Sequence, residues 1–162
     1  DLPHFLHMIN DPDVRGFLTT TQPISSEEEA DWLEVLRKDL TRVIMTIFFE
    51  DSGEVVGNLG LHRISWVNRY ATFGIMIGNK KRWGQGLGKQ ATELMLEHAF
   101  HTLGLRMIKS SVLAPNMASV ALHRSVGFQE DFRRPGQYFR DGEWVDEIIW
   151  SLQQADWQAS RK

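Results

Sequence analysis

Gly78-Asn79-Lys80-Lys81-Arg82-Trp83-Gly84-Gln85-Gly86-Leu87-Gly88-Lys89-Gln90, running on through ATELMLEHAF to Phe100, is the stretch whose reading decides the fold. Before it stands an apolar run, Ala71-Thr72-Phe73-Gly74-Ile75-Met76-Ile77, that reads as a strand. After it Leu87, Ala91, Leu94, Met95, His98 and Ala99 recur at helical spacing. Between strand and helix lie a basic patch (Lys80, Lys81, Arg82) and glycines at alternate positions, Gly84, Gly86 and Gly88. Glycines let a backbone approach an anion closely, the unpaired N–H groups of a helix start point at it, and the helix dipole favours negative charge. The stretch therefore predicts a site for a phosphorylated ligand, against the plainer alternative of a flexible strand-to-helix turn.

Two familiar phosphate motifs do not fit. The dinucleotide pattern G-x-G-x-x-G meets Lys89 where its last glycine belongs, and the P-loop pattern meets Trp83 and Gln90 where it needs Gly and Ser or Thr. Arg82-Trp83-Gly84-Gln85-Gly86-Leu87-Gly88 instead resembles the acetyl-CoA pyrophosphate loop of the GNAT superfamily of N-acetyltransferases, Q/R-x-x-G-x-G/A. Its Trp-Gly-x-Gly form resembles the RimJ/RimL-type branch. Aligned on the glycines, the Q/R slot falls on Trp83, with Arg82 one residue early. Further along, Asn116-Met117-Ala118-Ser119-Val120-Ala121-Leu122-His123-Arg124-Ser125-Val126-Gly127-Phe128 is similar to the family's N-x-x-S-x-x-L-[YH]-x-x-x-G-F. Two motifs in the right order are far more specific than either alone.

The resemblance implies an α/β (α+β) GNAT fold, a mixed and mostly antiparallel central sheet flanked by helices and splayed around the acetyl-CoA site. It implies a single N-acetyltransferase domain over residues 1–162, with the family's first strand expected upstream of residue 1, since the chain opens at Asp1 rather than Met.

Bulk properties agree with one globular domain: 162 residues, 42% hydrophobic and 24% charged. No run approaches the roughly 20 apolar residues of a membrane span, and no signal-peptide pattern opens the chain. A formal charge of −3 gives no general reason to bind nucleic acid. Zero cysteines exclude disulfides, thiol catalysis and cysteine-ligated zinc, and suit a cytoplasmic protein.

Along the chain, Leu2, Phe5, Leu6 and Ile9 mark a short helix that Asp11-Pro12-Asp13 ends. Its His4 and His7 lack a third ligand and read as a solvated face, so no metal is expected. Ser26 and Glu29 have capping-box spacing at the start of a second helix with a buried stripe of Trp32, Leu33, Leu36 and Leu40. Val43–Phe49 and Glu54–Ile64 read as strands about an Asp51-Ser52-Gly53 turn, followed by a third strand, Tyr70–Ile77. Gly104 caps the long helix, Arg106–Leu113 is a central strand, and Asn116 sits as a helix N-cap. A final hairpin turns at Asp141-Gly142, and the tail from Gln153 is expected to fray apart from Trp157.

Acetyl transfer to an amine needs a neutral nucleophile, a donor for the oxyanion and an acid for the leaving thiolate. The resemblance assigns the oxyanion donor and pantetheine contacts to the backbone at Ile75, Met76 and Ile77. It assigns the pyrophosphate to Gly84, Gln85, Gly86, Leu87, Gly88 and Lys89, beside Arg82 and Trp83, with Lys81, Arg82 or Lys89 near the phosphates. Asn116 would bond the pantetheine arm. The acid is His123, at a position that often carries Tyr, or Ser119. The base is open among Asp146, Glu147, His62 and a water chain, because Thr72, Phe73 and Gly74 stand where many family members carry Glu. In the resembled family this region borders the acceptor cleft, which would bring Phe17, Trp32 and Thr19–Thr21 to the substrate, but core packing or plain loop is the stronger reading for each.

The function implied is acetyl-CoA-dependent N-acetylation of a primary amine (a protein N-terminus, a polyamine or an amino sugar) in a ternary complex, without a metal. A noncatalytic acyl-CoA-binding sensor is the rival, and a nucleotide-binding module a third reading. The acidic Glu27–Asp31 segment leans toward a cationic acceptor, though a solvated helix face explains it equally well. Neither nucleic acid nor membrane is an expected partner. The resemblance allows a homodimer, with Trp144 or Trp157 read either as interface or equally as core.

Overall fold

The computed structural model describes residues 2–18 and 22–161, with Leu2 and Pro3 by their backbone alone, so Thr19–Thr21 lie outside the described residues. Six strands, β1 (Val43–Phe49), β2 (Glu54–Ser65), β3 (Tyr70–Ile77), β4 (Met107–Leu113), β5 (Gln129–Arg140) and β6 (Glu143–Gln153), form one sheet in the order β1-β2-β3-β4-β6-β5. Every neighbouring pair is antiparallel except β3 and β4. That parallel pair is bonded only where Tyr70–Thr72 meets Met107–Lys109. Beyond it β3 continues along β2 to Ile77 while β4 continues along β6 to Leu113. The two strands part, and a wedge opens in the middle of the sheet.

Helices cover both faces because the strands alternate their side chains. Val56, Ala71, Phe73 and Ile108 point to the face that α4 (Leu87–Glu97) covers with Met95 and Leu96. Val55 and Met76 point the other way, onto Met8 of α1 (Leu2–Asn10) and Val14 of α2 (Pro12–Arg15). A Cβ at Gly78 would collide with Met8, so the glycine lets α1 seat on the end of β3. Past α4 the helix widens into a π-turn, His98–Thr102, closed by Leu103 N–H donating to His98 O over 3.0 Å. Gly104, at φ 61°, ends it.

Several expectations change here. Asp11-Pro12-Asp13 starts α2 rather than simply ending α1, Asp11 Oδ1 accepting from Asp13 N at 2.9 Å. The capping box of α3 (Ser26–Leu36) is Ser25 with Glu28, one residue earlier than its sequence spacing suggested, because Ser25 holds the extended backbone of a cap. α3 ends at Leu36, so Leu40 is 82% exposed and leaves the stripe. Leu94 is also exposed, and α4 buries Thr92 and Leu96 instead. The tail does not fray: α6 (Gln154–Ala159) buries Trp157 against the rings of Phe100 and His101. That removes Trp157 from any surface interface, whereas Trp144 on the β5–β6 hairpin is 69% exposed. Among the described residues, no helix is long and apolar enough to cross a membrane.

Candidate active site

The glycine-rich loop is pinned at several points. Trp83 Nε1–H donates to Ile77 O at 2.7 Å, tying the loop back to the end of β3. Gln85 Nε2 donates to Lys81 O at 2.9 Å. Gly84 and Gly86 sit at φ 73° and 79°, where a side chain would strain the backbone, and the space around each is open. No side chain caps α4, so the N–H groups of its first turn are left for an outside acceptor. Of the loop's cations, Arg82 is committed elsewhere. Its guanidinium bonds Glu54 Oε2 at 2.8 Å and lies 3.9 Å over the Phe49 ring, holding the Glu54 carboxyl below its usual range. Lys80 bridges Asp11 and Asp13. Of the expected phosphate cations Lys81, Arg82 and Lys89, only Arg82 has an ion pair among the described residues.

The wedge supplies a second surface. From Phe73 onward the edge of β3 facing β4 has no strand partner, and Phe73, Gly74, Ile75 and Met76 line a cleft of about 700 Å³. On its far side stands α5 (Met117–Ser125). Asn116 caps α5 by accepting from Ser119 N at 3.0 Å, and both residues line the cleft.

His123 is not a helix-surface residue. It is 2% exposed, packed among Phe73, Phe128 and Trp150. Its Nδ1 lies 2.7 Å from Ser119 O and its Nε2 lies 2.8 Å from Ser110 Oγ. Ser110, itself buried on β4, also donates to Phe73 O at 3.1 Å, bridging the two strands just where their pairing stops. With the ring neutral and its proton on Nδ1, the one Ser110 hydroxyl proton serves either Nε2 or Phe73 O. A second ring proton, on Nε2, would let all three bonds form at once. Burial works against that proton and lowers the His123 pKa, while the Ser119 carbonyl pulls it back up. Ser119 is more open than His123, and its Oγ lies 3.4 Å from Nδ1.

The cleft continues past β2 to α1 and α3. His62 stands there, half-buried beside Gly74, its pKa lowered first by burial and then by Arg42 and Arg63. Glu147 reaches the cleft from β6, is 4% exposed and pairs with Arg134 at 2.9 Å. Asp146 does not line it; its Oδ1 accepts from Gly136 N at 3.0 Å within the β5–β6 hairpin. Phe17 and Trp32 do line it, as does Glu29, which is 7% exposed.

This arrangement, an anion-ready glycine loop at one end of a split sheet, has a match among known families. Residues 1–129 fit the family described as "Acetyltransferase (GNAT) domain". The chain belongs to the GNAT acetyltransferase family. As a member it is an acetyltransferase domain, and acetyl-CoA is its cosubstrate. The uncharacterized N-acetyltransferase p20 of Bacillus licheniformis is 24% identical over 147 residues, 88% of this chain and 82% of that protein. The spermidine N(1)-acetyltransferase of Escherichia coli K12 is 27% identical over 113 residues, 70% of this chain and 60% of that protein. Among solved structures, spermidine N-acetyltransferase from Vibrio cholerae in complex with CoA and spermine superposes with a TM-score of 0.91 at 20% identity, covering 98% of this chain and 92% of that one.

Within this GNAT domain Asn116, Ser119 and His123 line the cleft, and the loop glycines stand outside its lining, at the start of α4. Ser110 entered no expectation from the sequence, and Glu29 entered only as a supposed capping partner of Ser26 and as part of the Glu27–Asp31 segment. Ser110 carries no local signal, because its role depends on Phe73, 37 residues away. Glu29 does carry one: it stands three and four residues before Trp32 and Leu33, on the same face of the helix.

Proposed function

We propose that this domain transfers the acetyl group of acetyl-CoA to a primary amine by direct attack in a ternary complex, and that the amine is a polyamine or a similar aliphatic cation. One observation carries the reading: the open β3–β4 wedge, with Ser119 and His123 at its floor, is continuous with the cleft under α1 and α3. Acetyl-CoA enters along the free edge of β3 with its pyrophosphate on Gly84–Lys89 and its arm beside Asn116. The acceptor enters from the α1–α3 side. The spermidine acetyltransferases among its relatives support a polyamine, while the resemblance to the RimJ/RimL-type branch keeps protein N-termini as the competing acceptor.

An ammonium loses two protons in becoming an amide, one ending on the CoA sulfur and the other in solvent. For the first we assign Ser119, whose hydroxyl faces the cleft, with His123 behind it as the group that holds or returns a proton. For the second we assign His62, which is neutral and lies in the cleft, whereas Glu147 is spent on Arg134. The backbone at Ile75–Ile77 supplies the oxyanion donor. The enzyme acts in the cytoplasm, and a second copy docks on the exposed β5–β6 hairpin around Phe139 and Trp144.

The test is release of CoA thiol from acetyl-CoA in the presence of spermidine, N-terminal peptides or amino sugars. Turnover highest with spermidine is expected. Turnover confined to peptides would move the assignment to protein N-termini, and cofactor binding without turnover on any amine would favour the sensor.

A further inference from the structure

Among the described residues the buried ionisable groups are Glu29, His123 and Glu147, and all but the first are partnered. Glu147 has Arg134, and His123 has Ser110 and Ser119. Glu29 is 7% exposed, and among the described residues its carboxylate has neither a hydrogen-bond donor nor a cation within reach. Burial without a partner raises its pKa. A carboxylate with its residue packed away and only its oxygens reaching the cleft is partly desolvated, and gains from a cation that meets it there.

The surroundings say what would. Glu29 lines the main cleft together with Glu28, whose Oε2 is fixed by Ser25 N at 2.8 Å, and with the hydrocarbon of Phe5, Ile9, Ile24 and Trp32. Across its whole described lining the cleft has three carboxylates, Glu28, Glu29 and Glu147, and neither lysine nor arginine. The cations nearest it are held outside the lining: Arg134 on Glu147, and Arg140 on the Leu18 carbonyl. Acidic heads over apolar and aromatic walls fit a chain of methylenes carrying more than one ammonium.

We infer that Glu29 is the specificity-determining residue for the acceptor, its carboxylate receiving an ammonium of a diamine or polyamine other than the one that is acetylated. The inference rests on the acetyl-transfer reading above and assigns the second cation of that substrate. Glu29 stays with the acceptor throughout and takes no part in binding acetyl-CoA. A monoamine, having no second charge, gains nothing from it.

The experiment compares wild type with Glu29→Gln, which keeps shape and removes charge, on 1,4-diaminobutane, spermidine and butylamine at saturating acetyl-CoA. The expected result is a KM for the two polycations raised about tenfold, kcat within about twofold, and butylamine kinetics and acetyl-CoA affinity unchanged. The amine-free variant should melt no lower than wild type, because a buried unpaired charge has been removed. Equal changes for butylamine and the diamine, or no change for either, would overturn the assignment. Should wild type acetylate no amine, the acetyl-transfer reading fails on its own. Titration of spermine into CoA-loaded protein then still decides Glu29: binding weakened by Glu29→Gln upholds the cation site, and equal binding or none refutes it.

Discussion

The surfaces proposed for cofactor and for acceptor, here the cofactor wall and the acceptor wall, are made of different chemistry. On the cofactor side the working groups are backbone: the free edge of β3, the N–H groups at the start of α4, and loop residues Gly84 and Gly86 held at positive φ. On the acceptor side they are side chains: Glu28 and Glu29 on α3, His62 on β2, and the aromatic rings of Phe5, Phe17 and Trp32. A backbone site binds the same ligand whatever side chains surround it, provided the chain can take the shape. A side-chain site changes its ligand with a single substitution. On the proposed function, one wall therefore fixes the reaction class and the other selects the substrate.

That contrast is sharpest where the walls meet. Ser119→Ala should lower kcat about a hundredfold, as loss of a positioned acid does, while the Kd for acetyl-CoA moves by less than about threefold. Steady-state kinetics with a parallel cofactor titration would show it; equal loss of both would mean that Ser119 belongs to the cofactor wall alone. Next in size is Gly86→Val on the cofactor wall. A left-handed backbone costs a side chain roughly 1–2 kcal/mol, and the new methyls enter the space open for the pyrophosphate. Acetyl-CoA affinity should fall about tenfold or more, with spermine affinity unaltered by calorimetry. A coupled loss of both ligands would break the division between the walls.

The glycine loop and the cap of α5 were legible in the sequence because few residue types can build them. Glycine takes φ 79° at Gly86 without strain, and an Asn at the start of α5 caps it wherever the helix lies. The acceptor wall was harder to read. Three consecutive glutamates, Glu27 to Glu29, each turn about 100° from the last, so the rotation of α3 alone decides which one faces the cleft. Two adjacent serines hid that rotation, since either is a good cap and only the extended backbone of Ser25 chooses between them. His123 shows the same limit. Its place in the motif was clear, but its burial depends on Phe73, Phe128 and Trp150 arriving from three strands or strand ends. Trp157 gave no periodic signal in a helix of six residues and is buried purely by tertiary contact.

The smallest expected effect is on stability against pH. His62 and His123 both have lowered pKa values in the folded chain, chiefly from burial. The unfolded chain takes up protons near pH 6.5 that the folded chain resists, so this contribution is fully present above about pH 6.5 and lost as the pH falls below it. Melting temperature should drop by a few degrees between pH 7.5 and 5.5, and His123→Gln should flatten part of that slope. An unchanged slope would mean that His123 keeps its second proton in the fold, as its three-bond network allows.

Amide hydrogen exchange on the wild-type protein, free, with CoA, and with CoA plus spermine, tests the two-wall account most directly. CoA alone should protect residues 73–77 and 84–90, and spermine should add protection over residues 24–32. Protection by CoA that leaves the edge of β3 and the glycine loop unchanged would contradict it.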